Sequence, residues 1–319
     1  MKKVTLLIPC YNEEASLPDL YASLREVMDG QVQYDWEVLL IDDGSRDQSL
    51  RVMRRLRKED PRVALISLSR NFGKENAMLA GFDHASGDCV VILDADLQHP
   101  PSLIPAMLKL WEEGAQDVYA RRDMARESWL RRQMSRVYYK LLNRSTRFDV
   151  LENVGDFRLL DRRCVEALCQ LRESQRYTKG MYVWIGFRKQ EITYHEQQRT
   201  AGKSSFNFCR LANLAIDGLT SYTTAPLRLS TLTGLFSALM AILYMAYVFI
   251  KTLVVGEPVQ GFPTIVILIL FLGGVQLISL GIIGEYLGKV FIETKRRPVY
   301  LIDRMEGVTT HMEEKESAQ

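Results

Sequence analysis

Two long stretches without a charged side chain, Ser230 to Ile250 and Val259 to Gly284, dominate the C-terminal third of the chain. Each is long enough to cross a hydrocarbon core, which takes about 20 helical residues. Lys251 to Pro258 forms a short turn between them, with Gly256 and Pro258 as breakers. The pattern predicts a helical hairpin with both ends on one side of a bilayer. Uncharged runs of this length, closely paired, are rare inside soluble domains, which disfavours a pair of buried core helices. Arg210 and Arg228 precede the first run, and Lys289, Lys295, Arg296, Arg297 and Arg304 follow the second. The connecting turn has only Lys251, at its edge. This positive-inside bias puts the main domain and the C-terminal tail in the cytoplasm. Gly284 and Gly288 form a small-x-x-x-small pair suited to close helix packing, within a hairpin or an oligomer.

The region up to about Tyr222 reads as a different material. Short apolar runs alternate with helical patterns: strands at 4–8, 37–41, 63–68 and 89–93, and helices at about 16–28, 47–58, 74–84 and 101–113. Residues 117–120 read as a short, edge-like strand, with further strands at 157–160 and 189–195. The order predicts an α/β fold with a mostly parallel sheet and right-handed crossovers. Two amphipathic helices, 129–143 and 206–222, flank the approach to the first apolar run. The second suits a bilayer surface. Lys2-Lys3 precedes only a strand-length apolar run, so no secretory signal is expected. The five cysteines include no C-x-x-C pair and read as free thiols. A net charge of +2 over 319 residues gives no case for a nucleic-acid partner.

Chemistry concentrates where strands end. Asp94-Ala95-Asp96 follows the apolar run Cys89–Leu93 and precedes Gln98-His99-Pro100-Pro101. Open α/β sheets build their ligand crevice at such ends. Two carboxylates one residue apart repel unless a cation sits between them, and hard oxygen ligands suit Mg²⁺ or Mn²⁺ carrying a diphosphate. Pro9-Cys10-Tyr11-Asn12-Glu13 ends the first strand. Tyr11 offers a flat face to a base, and Glu13 an acceptor. Asp42-Asp43-Gly44-Ser45 ends the second, where a carboxylate can accept from a base N–H or a ribose hydroxyl. Asp47 reads as a helix cap. Arg121, and Arg131 with Ser135 one helical turn apart, suit a phosphate. His99 and His195 lack metal-ligand spacing.

Taken in order, these segments, with Asn71-Phe72-Gly73-Lys74, resemble family 2 (GT-A) glycosyltransferases. More narrowly, the chain is similar to the polyisoprenyl-phosphate glycosyltransferases, and its paired C-terminal runs to their bactoprenol glucosyltransferase branch. The resemblance implies a nucleotide-sugar donor such as a UDP-sugar, undecaprenyl phosphate as acceptor and a Mg²⁺ or Mn²⁺ cofactor. It implies donor contacts from Pro9, Tyr11, Glu13, Asp42, Asp43, Lys74, Asp94 and Ala95. Asp94 and Asp96 would serve the metal, with Gln98 as a further ligand, and Asp96 is counted with the catalytic residues. Gly155-Asp156-Phe157-Arg158-Leu159 resembles the segment that places a carboxylate, here Asp156, at the reacting centre. Asp156 is read as an orienting and electrostatic group at least as much as a base. Arg121, Arg131 and Ser135 would take the lipid phosphate. Arg199, Lys203 and Ser204 match a loop that closes over the donor diphosphate, although a lysine stands at 203 where the family has one after the serine.

The expected organisation is a catalytic domain at 1–205, an interfacial helix at 206–228, two spans within 229–288 (about 229–253 and 262–287) and a tail at 289–319. The expected location is the bacterial inner membrane, multi-pass, with the catalytic domain cytoplasmic. The resemblance also implies a homo-oligomer, a tetramer by analogy. A different sugar donor, such as a formamido-arabinose or mannose nucleotide, and a non-catalytic scaffold are the competing readings. A processive synthase is disfavoured, because no Q-x-x-R-W segment occurs.

Overall fold

A computed structural model of the protein describes residues 1–122, 154–174, 176–194, 225–255 and 261–308. The chain forms two compact units, Met1–Asn207 with Arg297–Gln319, and Phe208–Arg296.

The first unit is built on strands β1 (Lys2–Cys10), β2 (Tyr34–Asp42), β3 (Val63–Leu68), β4 (Cys89–Ile92), β5 (Asp117–Arg122), β6 (Val154–Asp161), β7 (Lys189–Tyr194) and β8 (Ile302–Glu306). Its helices are α1 (Leu17–Gly30), α2 (Ser49–Glu59), α3 (Lys74–His84), α4 (Ile104–Glu112), α5 (Arg162–Gln170) and α6 (Thr178–Trp184). The strands make one mixed sheet in the order β7-β5-β6-β4-β1-β2-β3-β8. β1 pairs in parallel with both β2 and β4, β2 with β3, and β5 with β7. β6 runs antiparallel to β4 and β5, and β8 antiparallel to β3.

The alternation of side chains along each strand divides the core between the two faces. Val4, Leu6 and Ile8 pack on one face with α1 and α4, while Leu7 packs on the other with α3. Buried on both faces, β1 to β4 carry near-continuous apolar runs, as parallel strands do. From β1 the chain winds outward through β2 to β3, then returns to β4 on the far side of β1. That reversal opens a crevice beyond the carboxyl ends of β1 and β4.

Two elements depart from expectation. β5 is an interior strand between β6 and β7, not an edge. Its polar appearance comes from Asp117, which is fully buried and bonded by the equally enclosed Arg158. β8 lies in a tail that gives little strand signal, yet it extends the sheet beyond β3. Arg54 pairs with Glu306 at 2.8 Å, and Tyr300 donates to Asp83 at 2.6 Å, which ties this return to α2 and α3.

The second unit contains α7 (Ala225–Val255) and α8 (Phe262–Thr294), packed on each other. Among the described residues, Phe271–Thr294 is the one helical segment long and apolar enough to cross a membrane, with a mean hydropathy of 1.5. Phe236 and Leu239 on α7, and Ile269 and Leu277 on α8, are exposed. A contiguous apolar surface of this kind needs a lipid or protein partner. A Cβ at Gly284 or Gly288 would meet nothing within 4 Å, so these glycines are not what brings α8 against α7. The helices expected at 129–143 and 206–222 lie outside the described residues.

Candidate active site

A cleft of about 310 Å³ opens at the sheet's carboxyl edge. It is lined by Pro9 and Cys10 at the end of β1, Tyr11 and Glu13 just after it, Asp43 after β2, Asn71, Gly73 and Lys74 before and at the start of α3, and Asp94 to Asp96 after β4. Small-molecule sites commonly start near this size, about 300 Å³.

The loops after β1 and β2 hold each other. Asn12 N–H donates to Ser45 Oγ at 3.0 Å, Arg46 N–H to Asn12 Oδ1 at 2.8 Å, and Glu13 N–H to Ser49 Oγ at 2.8 Å. Asp47 accepts from the Ser49 N–H and hydroxyl just ahead of α2, but the N-cap position falls on Gln48, which makes no side-chain capping bond, so the expected Asp47 cap sits one residue outside the helix start. Tyr11 stays 41% exposed above this lattice. Asp42 is not on the cleft wall. It is buried, and its two oxygens accept from Ser45 N–H and Ser67 Oγ. It therefore shapes the loop that presents Asp43. Asp43 in turn accepts the N–H groups of Phe72 at 2.7 Å and Gly73 at 2.9 Å. Burial pushes its carboxyl up, against the pull of those two bonds. The turn depends on Gly44, which has φ +66° and lies against the Arg70–Asn71 backbone, where a Cβ has no room.

The acids on the two central antiparallel strands meet by register. β4 and β6 pair Ile92 with Arg158, so continuing the ladder sets Asp94 across from Asp156. Lys74, the first residue of α3, fills the gap: Nζ lies 2.6 Å from Asp94 Oδ1 and 2.7 Å from Asp156 Oδ2. Burial alone would raise the Asp156 carboxyl. Lys74, with Lys179 and Arg158 behind it, outweighs burial and holds it below the usual carboxylate range. The same two acids hold the Lys74 ammonium above its ordinary pKa, although burial acts against them. His99 is buried, stacked on Phe157 at 5.0 Å, with Nδ1 3.9 Å from Asp94 Oδ2. Burial pushes the imidazole down, against the opposing pull of Asp94 and Asp96, so it favours the neutral form.

Negative charge is in excess on the cleft wall. Glu13, Asp43, Asp94 and Asp96 line it against the single ammonium of Lys74. Burial raises the Glu13 carboxyl, and Asp96 and Asp94 raise it further despite a bond from Ser16. After Asp96 the chain takes φ +61° at Leu97 and folds back, so that Gln98 N–H donates to Asp96 Oδ1 at 3.2 Å. Among the described residues no three His, Cys, Asp or Glu side chains converge on one point. The donor set thus fits a hard cation that takes one or two carboxylates and completes its shell with substrate phosphates and water, as Mg²⁺ does.

Arg121 is placed at the end of β5, paired with Glu191 at 3.1 Å and away from the cleft lining. Arg131, Ser135, Arg199, Lys203 and Ser204 lie outside the described residues. Sequence reasoning missed a polar layer behind Asp156. Arg158 stacks 3.5 Å over the wholly buried ring of Tyr182 and bonds Asp117 at 3.0 Å, while Glu75 accepts the Thr178 N–H at 3.0 Å. Arg158 stands inside the Gly155–Leu159 segment, and a charged residue in an otherwise apolar strand was the available signal.

Comparison with known proteins agrees with this geometry. The Glycosyl transferase family 2 signature matches residues 5–169, and the GtrB C-terminal hairpin matches residues 225–290. The bactoprenol glucosyl transferase of Shigella phage SfV is 44% identical, covering 94% of this chain and 98% of that one. The SfII prophage-derived bactoprenol glucosyl transferase of Shigella flexneri is also 44% identical, covering 95% and 98%. Among solved structures, mannosyl-3-phosphoglycerate synthase from Rubrobacter xylanophilus matches with a TM-score of 0.47 at 15% identity, over 68% of this chain and 71% of that one. A strand-end acid cleft, a family signature over half the chain and near-full-length relatives together lead to one assignment: the chain is a glycosyltransferase of family 2 that carries a GtrB-type C-terminal hairpin.

Proposed function

We propose that the protein transfers a hexose, glucose from UDP-glucose, to undecaprenyl phosphate at the cytoplasmic face of a bacterial inner membrane. The bridge of Lys74 between Asp94 and Asp156 carries this reading, because it joins the diphosphate end of the cleft to the carboxylate of the reacting centre. The two 44% identical relatives named as bactoprenol glucosyl transferases support the choice of sugar and acceptor.

Tyr11 would stack on the base, with Glu13 and Asp43 accepting from base or ribose. A Mg²⁺ or Mn²⁺ ion on Asp94 and Asp96, with Gln98 as a further ligand, would neutralise the diphosphate and stabilise departing UDP. A phosphate oxygen of the acceptor attacks the anomeric carbon as the bond to the donor diphosphate breaks. One displacement inverts the configuration there. The acceptor phosphate has a second pKa of about 6, so it arrives largely deprotonated and demands no strong base. Asp156, held ionised by Lys74, is a weak base and a strong anion. Its work is to orient the reactants and stabilise positive charge at the anomeric carbon. Arg121, Arg131 and Ser135 would take the lipid phosphate, and Arg199, Lys203 and Ser204 the donor diphosphate.

The exposed apolar surfaces of α7 and α8 suit a membrane hairpin of two spans, with residues 206–228 at the interface. The positive charges flanking it support a cytoplasmic side for the catalytic domain, 1–205, and the tail, 289–319. Assembly as a homotetramer belongs to the same reading. The test is a panel of labelled nucleotide sugars offered to the protein in vesicles containing undecaprenyl phosphate. Label from UDP-glucose entering the lipid supports the proposal. Label from a formamido-arabinose or mannose nucleotide instead would keep the reaction and replace the sugar. No lipid-linked label from any donor would overturn it.

A further inference from the structure

Asp156 is held by few contacts. Its Oδ2 takes the Lys74 ammonium, and its Oδ1 is buried without a hydrogen-bond partner among the described residues. Lys74 is shared with Asp94, so what fixes Lys74 also fixes Asp156. The neighbouring residue, Glu75, is not among those that line the cleft. Its Oε2 accepts the N–H of Thr178, the first residue of α6, at 3.0 Å. From there α6 carries Tyr182, wholly buried, under the guanidinium of Arg158 at 3.5 Å. Arg158 lies two residues beyond Asp156 on β6 and is anchored by Asp117. The contacts therefore close a ring: Asp156, Lys74, Glu75, Thr178, Tyr182, Arg158 and back along β6 to Asp156.

We propose that Glu75 is a positioning residue: by gripping the first turn of α6 it closes this ring and holds Lys74 between Asp94 and Asp156, while touching no substrate itself. The inference rests on the glycosyl-transfer role given to Asp156. The surroundings of Glu75 fit a group chosen for its place, because an ionised carboxylate is poorly served there. Burial first and Asp156 second raise its carboxyl, to about 7, against the pull of the Thr178 N–H, Lys74 and Arg176. Tyr182 faces it from α6 as well. A hydrogen-bond acceptor is what the ring needs at this point, and a neutral amide oxygen would serve.

The experiment compares Glu75→Ala with Glu75→Gln in the full-length protein, using UDP-glucose and undecaprenyl phosphate. The alanine variant should lower kcat by about tenfold or more while the donor KM changes by less than about threefold, as expected when a reacting group is misplaced. The glutamine variant should return kcat to within about threefold of the parent, because the acceptor for Thr178 N–H is restored. An alanine variant with parental kcat, a glutamine variant as impaired as alanine, or an effect on donor KM alone would each overturn the proposal. A parent without turnover would sink the donor assignment. The ring is then judged by melting temperatures, which need no substrate. Glu75→Ala and Tyr182→Ala should be non-additive, as residues in one network are, and strict additivity would overturn the ring.

Discussion

The two ends of the same sheet treat buried acids in opposite ways. At the amino end, Glu37 is 5% exposed and fully engaged: it accepts from Thr5 Oγ1 at 2.5 Å, Ser86 Oγ at 2.8 Å and Ser86 N–H at 3.0 Å. At the carboxyl end, Glu13, Asp94 and Asp96 line the cleft with Lys74, which bridges Asp94 to Asp156, and Asp156 Oδ1 is left without a partner among the described residues. A carboxylate whose lone pairs are all taken is structural. One that the fold leaves open faces something that arrives later. The residue type is shared, and what differs is whether the fold has closed the site.

The sharpest way to break this contrast is to neutralise acids at the open end. Asp96→Asn and Asp156→Asn should each lower kcat by about 10²-fold or more, as loss of a transition-state electrostatic contact does, with little change in melting temperature. Glu37→Ala should do the reverse: a loss of about 1–3 kcal/mol of stability from the stranded donors, seen in denaturant melts, with the kcat of the folded protein unchanged. If Glu37→Ala abolished turnover at parental stability, the division would fail.

A smaller effect is expected from Lys74→Met through pH. Lys74 holds the Asp156 carboxyl below its ordinary range. Without the ammonium, burial dominates and the Asp156 pKa rises. The acid limb of the kcat profile should then move to higher pH in the variant. An unmoved limb would show that Asp156 is not the group being held. The smallest effect concerns Glu75→Gln. The folded pKa of Glu75, about 7, lies above its ordinary value of 4.5. Its stabilising contribution is therefore present below pH 4.5 and is lost as pH rises through about 7. The glutamine variant escapes this loss. It should melt higher than the parent at pH 8, by a few degrees or roughly 1 kcal/mol after allowance for partial exposure. The gap should shrink toward pH 5.

Much of the cleft was legible because it is made of local signals. Apolar runs ending in Pro9, Asp42 and Asp94 mark strand ends, and strand ends in an open α/β sheet mark the crevice. The bounds of β3 and α3 matched their sequence patterns, since alternation and helical spacing are set within a few residues. What remained hidden depends on contacts between distant segments. Nothing near Asp117 indicates that Arg158 neutralises it, so β5 looked like an edge when it is interior. Nothing near Ile302 indicates that the chain returns from α8 to cover β3. Asp42 and Asp43 are equivalent in sequence, yet the pleat turns one inward to Ser67 and leaves the other on the cleft wall.

The central claim is that open acids at the sheet's carboxyl edge use a divalent cation to present a nucleotide sugar to a lipid phosphate. Transfer of labelled glucose from UDP-glucose to undecaprenyl phosphate, in vesicles stripped of divalent cations and then resupplied with Mg²⁺ or Mn²⁺, tests it most directly. Lipid-linked label should vanish on stripping, return on resupply and stay absent in Asp96→Asn under both conditions. Full transfer in the stripped vesicles would contradict the account.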